Sequence, residues 1–381
     1  MQRSAKVIYF TAILILLAAI IYLIWYERPK TELTISSKIN FKYGQTTPSL
    51  VTIGSNDLVY TLEVYYDGCS LQTYKSNGIK DWTKSIGKIT TYKWVLVSVP
   101  NDTLNIIGGH GSGSILWISI LKDRQVLKRK LPVDSNLFIR KALLVKKNIY
   151  LIGEHETEAT NIPIIIKLRN DGRKEWTRTY GPECTIYDQI VEDKCGDIVV
   201  AGTIGSAMGT CIMKYSPDGH RIWSHNINIK QRDSGHTIHL GIKHDNTIIC
   251  LVSSYNMDAR SYEYLLLTYS STGKLIKIQT LYHGSKLNVV DAGKNERDEL
   301  YVLGNRINNR RCDGNAELTK YDSRGRMIWS GVIRLPDRCE ANQMELDDKG
   351  NIYIVGRWHN YYENIPDPSV RAFIYKVIDR R

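Results

Sequence analysis

Phenylalanine is scarce in this chain, which has 381 residues and contains 4 Phe against 24 Tyr and 8 Trp. A tyrosine ring has an apolar body and a hydrogen-bonding tip, so a tyrosine-rich set suits half-exposed β-strands and binding loops. The rest of the composition is ordinary, at 43% apolar and 24% charged residues. It excludes intrinsic disorder, collagen-like repeats and coiled coils, and the length allows a large buried core.

The chain also lacks the motifs of several catalytic and cofactor-binding classes. It has no glycine-rich phosphate loop, no Gly-x-Ser-x-Gly elbow, no zinc-type cysteine spacing and no pair of adjacent cysteines. His236, His239 and His244 lie close in sequence, but their odd spacings send neighbouring side chains to opposite faces of a strand. The sequence therefore predicts no metal, no cofactor and no catalytic residue.

Basic residues are in excess, with 51 Lys and Arg against 39 Asp and Glu and a formal net charge of +12. The charges are spread over predicted turns without an aromatic-basic recognition motif, so no nucleic acid is expected as a partner. Attraction to an anionic envelope component or polymer explains the excess at least as well.

Residues 7–25 form a long apolar run in which Thr11 is the one distinctly polar residue. A helix of this length spans about 28 Å, close to the hydrocarbon core of a bilayer. Basic residues precede the run and aromatic residues end it, which predicts an uncleaved signal anchor with residues 1–6 cytoplasmic and the body extracytoplasmic. A cleaved signal peptide is the alternative, although bulky residues follow Ala18 and Ala19 where a cleavage site would end the run.

A hairpin motif recurs through the remaining chain. Its turn glycines are Gly78, Gly172, Gly219, Gly273 and Gly325, and the last four follow one another at steps of 47, 54 and 52 residues. Four copies end in a tryptophan, at Trp82, Trp176, Trp223 and Trp329. Lys277 replaces the tryptophan in one copy, and Asp123-Arg124 forms the turn of another copy without a glycine.

Each repeat predicts four short strands, called a, b, c and d, joined by tight a–b and c–d turns. Seven a, b and c strands are present but only six d strands, because the chain stops just after the last c strand at residues 372–378. Strand 32–42 is left over at the start, and we expect it to supply the missing d strand and close a ring. The sequence thus predicts an all-β fold, a seven-bladed β-propeller of four-stranded antiparallel blades over residues 32–381. A short linker, 26–31, joins it to one N-terminal transmembrane helix.

The repeat units at residues 350–356 and 320–329, Gly-Asn-Ile-Tyr-Ile-Val-Gly and Lys-Tyr-x-x-x-Gly-x-x-x-Trp, resemble the SBBP family of seven-bladed β-propeller repeats. They are similar, less closely, to PQQ-like propeller repeats. The resemblance covers residues 32–381 and implies the same fold in an exported or surface protein. It implies little about activity, because the matching residues are turn and packing residues.

Two structural roles follow from the repeat positions. The four repeat tryptophans occur once per blade at one position, so we expect them to pack between neighbouring blades. An exported location permits disulfides, and in a propeller the b–c and d–a loops share one rim. This placement predicts Cys312–Cys339 as the first candidate disulfide and Cys184–Cys211 as the second.

The b–c loops are long at residues 154–162, 253–263, 305–316 and 357–371, and long loops on a rigid scaffold are common binding sites. Tyr, Trp and Arg dominate binding hot spots. The candidate partner-binding residues are therefore Tyr255, Tyr262, Arg306, Arg310, Arg311, Arg338, Arg357, Trp358, His359, Tyr361 and Tyr362. Ordinary solvated loops are the plainer interpretation of the same residues.

These features predict a membrane-anchored extracytoplasmic propeller that acts as a non-catalytic binding or scaffold module for a protein, glycan or anionic envelope partner. The alternative is a propeller enzyme, a lyase or hydrolase, with its site at the mouth of the central channel. A cluster of carboxylates or histidines in that channel would favour the enzyme.

Overall fold

The computed structural model describes residues 34–41, 48–53, 58–64, 69–75, 77–87, 94–99, 103–110, 114–121, 124–131, 137–145, 148–156, 161–169, 171–179, 184–204, 209–227, 232–256, 261–281, 287–308, 311–336, 339–358 and 372–379. The predicted anchor at residues 7–25 lies outside these ranges. Within them, no helix has the length and apolar character needed to cross a membrane.

The described residues fold into seven four-stranded sheets. The first strand among the described residues is β1 (Thr34–Phe41), which belongs to the last blade. Blades 1 to 3 are β2 (Pro48–Ile53), β3 (Val59–Val64), β4 (Cys69–Tyr74) and β5 (Lys80–Gly87), then β6 (Trp94–Val99), β7 (Thr103–His110), β8 (Ser114–Ile120) and β9 (Val126–Leu131), then β10 (Leu137–Val145), β11 (Asn148–Glu156), β12 (Asn161–Arg169) and β13 (Lys174–Thr179).

Blades 4 to 7 continue the same order. They are β14 (Ile186–Glu192), β15 (Ile198–Thr203), β16 (Thr210–Tyr215) and β17 (Arg221–Ile227), then β18 (Arg232–Ile242), β19 (Ile248–Asn256), β20 (Ser261–Tyr269) and β21 (Leu275–Leu281), then β22 (Leu287–Lys294), β23 (Leu300–Asn308), β24 (Arg311–Tyr321) and β25 (Met327–Arg334), and finally β26 (Cys339–Leu346), β27 (Asn351–Trp358) and β28 (Ala372–Ile378) with β1.

The inner strands form a closed ring. Each of β2, β6, β10, β14, β18, β22 and β26 contacts the next, and β26 contacts β2. All pairings within the sheets are antiparallel, and each blade follows a simple order from inner to outer strand. The predicted all-β seven-bladed propeller is therefore confirmed, with the inner strands around a central channel.

Both ends of the described chain meet in blade 7. The outer strand of that blade is β1, which pairs with β28 from Thr34 opposite Ile378 to Phe41 opposite Ala372. This pairing covers the edge of β28 that a missing fourth strand would leave open. The ring closes through packing as well, because Tyr353 of blade 7 and Val59 of blade 1 share one buried cluster.

Apolar side chains fill the spaces between blades. One buried cluster lies at each junction, such as Leu62 with Ile106 between blades 1 and 2, and Ile152 with Val200 between blades 3 and 4. Burying one large aliphatic side chain contributes about 1.5–3 kcal/mol, so the stacked sheets hold each other in place. Each blade depends on both neighbours, as expected of a repeat fold that buries its faces only by stacking.

Most inner strands carry a β-bulge at one level. In blade 3, Ile139 pairs with Gly153 and Lys141 pairs with Ile152, which leaves Arg140 as the extra residue. Register shifts at the same level occur in β2, β14, β18, β22 and β26. The bulge bends the inner strand and redirects the side chains at and after it.

The bulge accounts for the glycine that ends the repeated Ile-Tyr-x-x-Gly pattern. A Cβ on Gly202 would lie 1.8 Å from the carbonyl oxygen of Ile186, and one on Gly356 would lie 2.1 Å from that of Glu340. No side chain fits at such a distance, so the close approach of the two backbones requires glycine.

The repeat tryptophan and lysine bind a turn of the next blade. In blade 3, Trp176 Nε1 and Lys167 Nζ donate to the Pro217 carbonyl of blade 4, at 3.0 and 3.1 Å. In blade 4, Trp223 and Lys214 donate to the Ser271 carbonyl of blade 5 in the same way, at 3.4 and 3.3 Å. The shared acceptor explains why the two residue types recur together.

Blade 7 lacks a c–d turn because its last two strands come from opposite ends of the chain. Lys320 of blade 6 has no turn carbonyl to reach, and its Nζ instead lies 2.9 Å from the Asp379 carboxylate. The Tyr301 hydroxyl donates to the same carboxylate at 3.0 Å. Asp379 thus replaces the turn at the point where the ring is closed.

The turn without a glycine is also accounted for. Arg124 adopts the left-handed backbone conformation, φ 67°, that Gly172 and Gly219 adopt in their turns. Its guanidinium lies 5.5 Å from the centre of the Trp82 ring in blade 1, so this turn still contacts the preceding blade. A cation over an aromatic face contributes about 0.5–1 kcal/mol at such an exposed site.

Candidate functional site

The two rims of the propeller differ in their connections. We call the edge that carries the a–b and c–d turns the turn rim, described at residues 193–197, 216–220, 243–247, 270–274, 295–299, 322–326 and 347–350 and at parts of the other turns. The opposite edge, where second strands end and third strands begin, is the long-loop rim. The long loops predicted at residues 154–162, 253–263 and 305–316 are instead largely strand. The second and third strands stay paired out to Glu156 and Asn161, to Asn256 and Ser261, and to Asn308 and Arg311. Residues at the connections of a rigid scaffold remain well placed for binding.

Three arginines are exposed at the long-loop rim of blades 6 and 7. Arg306 lies near the end of β23, Arg334 ends β25, and Arg357 lies near the end of β27. Arg306 Nε is 4.0 Å from the Glu317 carboxylate, a loose and solvent-screened ion pair. Arg306 and Arg357 are the described part of the predicted binding surface, and Arg334 lies on the same rim beside them.

The other predicted binding residues stay predictions. Four of them belong to strands whose backbone is placed but whose side chains lie outside the described set: Tyr255, Tyr262, Arg311 and Trp358. The remaining five lie outside the described residues: Arg310, Arg338, His359, Tyr361 and Tyr362. The structure therefore does not bring this surface together as one described site.

The cysteines are distributed as follows. Cys184 and Cys211 form a disulfide within blade 4. Cys339 is buried at the start of β26, and the side chain of Cys312 lies outside the described set, so the Cys312–Cys339 pairing stays a prediction. Cys195 is exposed on a turn, and burial raises the pKa of the Cys250 thiol to about 12.

Polar side chains follow the bulges of the inner strands, and except for His239 no sequence motif pointed to them. The residues just after the bulge are Lys141, Gln189, His239, Asp291 and Gln343. They occupy equivalent positions in five successive blades, around the channel. Aligning the predicted a strands by repeat would have shown this polar column within otherwise apolar segments.

Several of these residues reach the inner strand of the next blade. Lys141 Nζ donates to Gln189 Oε1 at 2.5 Å, and Gln189 Nε2 donates to the Ile238 carbonyl at 2.9 Å. Farther round the ring, the Asp291 carboxylate accepts the Met344 N–H of blade 7 at 2.7 Å. The polar column therefore has a structural role, since it joins blades 3 to 4, 4 to 5 and 6 to 7.

Two carboxyl groups in the channel have raised pKa values. Burial raises the pKa of Asp291 to about 6, against the opposing effects of its backbone hydrogen bonds and Lys141. Burial and the neighbouring Asp291 raise the pKa of Glu345 to about 7, with Lys141 again opposing. Glu345 has no hydrogen bond or ion pair to another described residue, unlike Asp291, which accepts backbone N–H groups.

A histidine completes this group. Burial lowers the pKa of His239 to about 3, and the charges of Lys141 and Lys294 act in the same direction. The imidazole is therefore neutral at physiological pH. Its Nε2 atom is buried and has no partner in the described part of the chain. We call Lys141, His239, Asp291 and Glu345 the channel cluster.

A second polar group lies one step nearer the long-loop rim. Arg140, the bulge residue of blade 3, contacts the buried Glu154 carboxylate at 2.5 Å and lies 3.8 Å from Asp188, the bulge residue of blade 4. Asn161 and Thr203 donate further hydrogen bonds to these two carboxylates. Burial raises the pKa of Asp188, with Arg140 opposing. The shared arginine fixes these carboxylates as a link between blades.

The three neighbouring histidines of blade 5 are well separated. His236 is exposed near the long-loop rim, His239 lies in the channel, and the His244 N–H donates to Asp298 on the turn rim at 2.9 Å. Across the described ranges, no three His, Cys, Asp or Glu side chains gather into a set that could hold a metal ion.

Comparisons with known proteins place this chain by fold. It is a seven-bladed β-propeller, and solved structures with a similar fold share little sequence with it. The WD40 domain of Neurospora crassa Pan2 has a TM-score of 0.58 and 8% identity, over 92% of this chain and 96% of that one. The polysaccharide lyase Uly1 has a TM-score of 0.57 and 10% identity, over 90% and 92%.

A third solved structure, from Lactobacillus plantarum, has a TM-score of 0.53 and 13% identity, and the match covers 77% of this chain and 87% of that one. No family model and no curated protein sequence matches the chain. Since these structures include both a WD40 domain and a lyase, the fold is compatible with either binding or catalysis.

Proposed function

We propose that this protein is a membrane-anchored extracytoplasmic propeller that acts as a non-catalytic binding or scaffold module. Its partner is a protein with an acidic surface, and it binds the long-loop rim of blades 6 and 7. The observation that carries the proposal is the exposure of Arg306, Arg334 and Arg357 at that rim. Arginine is enriched in binding hot spots and pairs with carboxylates through two parallel hydrogen bonds.

The scaffold supports this role because its repeat residues serve the ring itself. Trp176 and Lys167 bind the next blade, and Glu154 and Asp188 are held by Arg140. A rigid ring presents its loops without a large loss of entropy on binding. The repeat pattern also supports membership of the SBBP-type repeat family as part of this proposal.

Catalysis in the central channel is the second candidate. The channel cluster favours it, because a carboxyl with a pKa of about 7 beside another with a pKa of about 6 suits general acid–base chemistry. Similarity of fold to a polysaccharide lyase makes polysaccharides the first substrates to screen. If turnover is found, Glu345→Gln should lower kcat by roughly a hundredfold.

The binding proposal is tested by placing a photo-crosslinking residue at position 357 of the full-length chain in its native membrane. We expect a discrete crosslinked protein that disappears when Arg306→Glu and Arg334→Glu are added. The control places the same residue at position 324, which is exposed on the turn rim of blade 6. Identical adducts from both positions, or none from position 357, would contradict the proposal.

A further inference from the structure

The turn rim carries more exposed basic residues than acidic ones. Among the described turn residues, the exposed cations are Lys75, Arg124, Arg173, Lys194, Lys274, Arg297, Arg324, Arg326 and Lys349. The exposed anions are Asp171, Asp218, Asp245, Glu296 and Asp348. Every blade contributes at least one of the cations, so the positive charge surrounds the whole rim.

Two of the five exposed anions, Asp171 and Asp245, and three less exposed aspartates of the turns direct their carboxylates toward the turn backbone. Asp245 accepts the Thr247 N–H at 2.9 Å, and Asp347 accepts the Asn351 N–H at 2.7 Å. The turn residues Asp171, Asp193 and Asp322 accept backbone N–H groups in the same way. Such carboxylates complete the turns, so their charge is partly screened from a surface facing the rim.

Three of the cations, by contrast, are available to an external anion. Lys274 lies on the c–d turn of blade 5, and Arg297 and Arg324 lie on the two turns of blade 6. None of these side chains has a hydrogen bond or ion pair to another described residue. The outward field of the rim is therefore positive.

The start of the propeller lies at the same rim. Thr34 pairs with Ile378, the last residue of β28, whereas Phe41 pairs with Ala372 at the long-loop end. The chain that precedes Thr34 therefore joins the propeller at the turn rim. Residues 26–33 separate the predicted membrane helix from β1, and such a stretch reaches at most about 29 Å.

We propose that the turn rim is the membrane-facing surface of the propeller and docks on anionic phospholipid headgroups. The inference rests on the anchor in the proposed function, which keeps the basic rim within reach of the bilayer. A strand of eight residues is about 27 Å long, so the long-loop rim stands that far from the lipid and stays open to its partner.

The turn rim carries a native cysteine, Cys195, whose reactivity can report on docking. Cys195 is exposed on the a–b turn of blade 4, whereas Cys250 is buried and Cys184 and Cys211 are bridged. Its rate of alkylation by a bulky, membrane-impermeant maleimide can be read by peptide mass mapping of the full-length chain in lipid nanodiscs. Docking should shield this thiol.

The test compares nanodiscs of phosphatidylcholine alone with discs that contain phosphatidylglycerol. Each cation at an anionic surface favours the docked state about fivefold, so three of them favour it on the order of a hundredfold. We expect alkylation of Cys195 to be at least about tenfold slower in the anionic discs, and high salt to remove the difference.

Two triple variants with the same net charge locate the effect. K274E/R297E/R324E, on the turn rim, should restore fast alkylation in anionic discs. R306E/R334E/R357E, on the long-loop rim, should leave alkylation slow in anionic discs. Equal rates in both kinds of disc, or equal effects of the two variants, would overturn the docking proposal alone. A chain that does not remain with either disc would overturn the anchor as well.

Discussion

Glu345 gives the clearest test of the channel cluster, because replacing it by glutamine removes a charge that the folded protein disfavours. Its pKa rises from an ordinary value of 4.5 to about 7 on folding, first because of burial and then because of Asp291. Between these two values the folded chain keeps a proton that the unfolded chain has lost. The contribution of Glu345 to the free energy of unfolding should therefore be fully present below pH 4.5 and be lost as the pH rises toward 7.

The expected stabilisation by Glu345→Gln follows from the pKa shift of Glu345. A shift from 4.5 to about 7 corresponds to at most about 3 kcal/mol. Part of it belongs to the coupling with Asp291, so we expect Glu345→Gln to stabilise the fold by about 2 kcal/mol at pH 8. For a ring of this size such a gain raises the thermal midpoint by about 3 °C.

Thermal unfolding of the wild type and Glu345→Gln at pH 4 and pH 8 provides the measurement. At pH 4 both side chains are neutral in both states, so the midpoints should agree. Glu296→Gln is the control, since Glu296 is exposed on a turn and its replacement should change neither midpoint. A variant that is stabilised equally at both pH values, or destabilised at pH 8, would refute the burial argument.

Two further predictions concern the ring and its bulges. Asp379→Asn should destabilise the fold by about 1–3 kcal/mol, because it removes one of the two carboxylates that neutralise the buried Lys320 ammonium; chemical denaturation should show this loss, and Asp348→Asn on an exposed turn should show none. Gly202→Ala places a Cβ 1.8 Å from a carbonyl oxygen and should cost more than about 4 kcal/mol or prevent folding, whereas Gly350→Ala, with open space around its Cβ, should cost about 1 kcal/mol in the same assay. Similar losses for both glycines would contradict the role given to the bulge.

The fold could be predicted because the residues that define the repeat are the ones that form the turns and pack between the blades. Turn glycines such as Gly219 and buried runs such as 198–203 recur once per blade, and the strand count agrees with the pairing of β1 and β28. Boundaries were less certain where a strand continues into polar sequence. A long loop was predicted at residues 305–316, but β23 extends to Asn308 and β24 begins at Arg311, because the two strands pair beyond a register shift at Asn305–Ile307.

The channel cluster could not be predicted from single motifs, because its members come from four different blades. Lys141 and Glu345 are about 200 residues apart in the chain, and only the closed ring brings their charges into the same channel. The bulges add to the difficulty, since each shifts the inward and outward alternation by one residue. Simple period-two reasoning therefore misassigns the faces of every bulged inner strand.

The pairing of β1 with β28 has a consequence for biosynthesis. Among the described strands, β1 is the first that the ribosome makes and its partner is the last. At about 5–20 residues per second, β28 follows β1 by roughly 17–70 s. During this interval β1 has no partner and must be kept from pairing with the unprotected edges of other chains. The ring can therefore close only after β28 has been made, and the rate of this closure decides how long each new chain is exposed to aggregation.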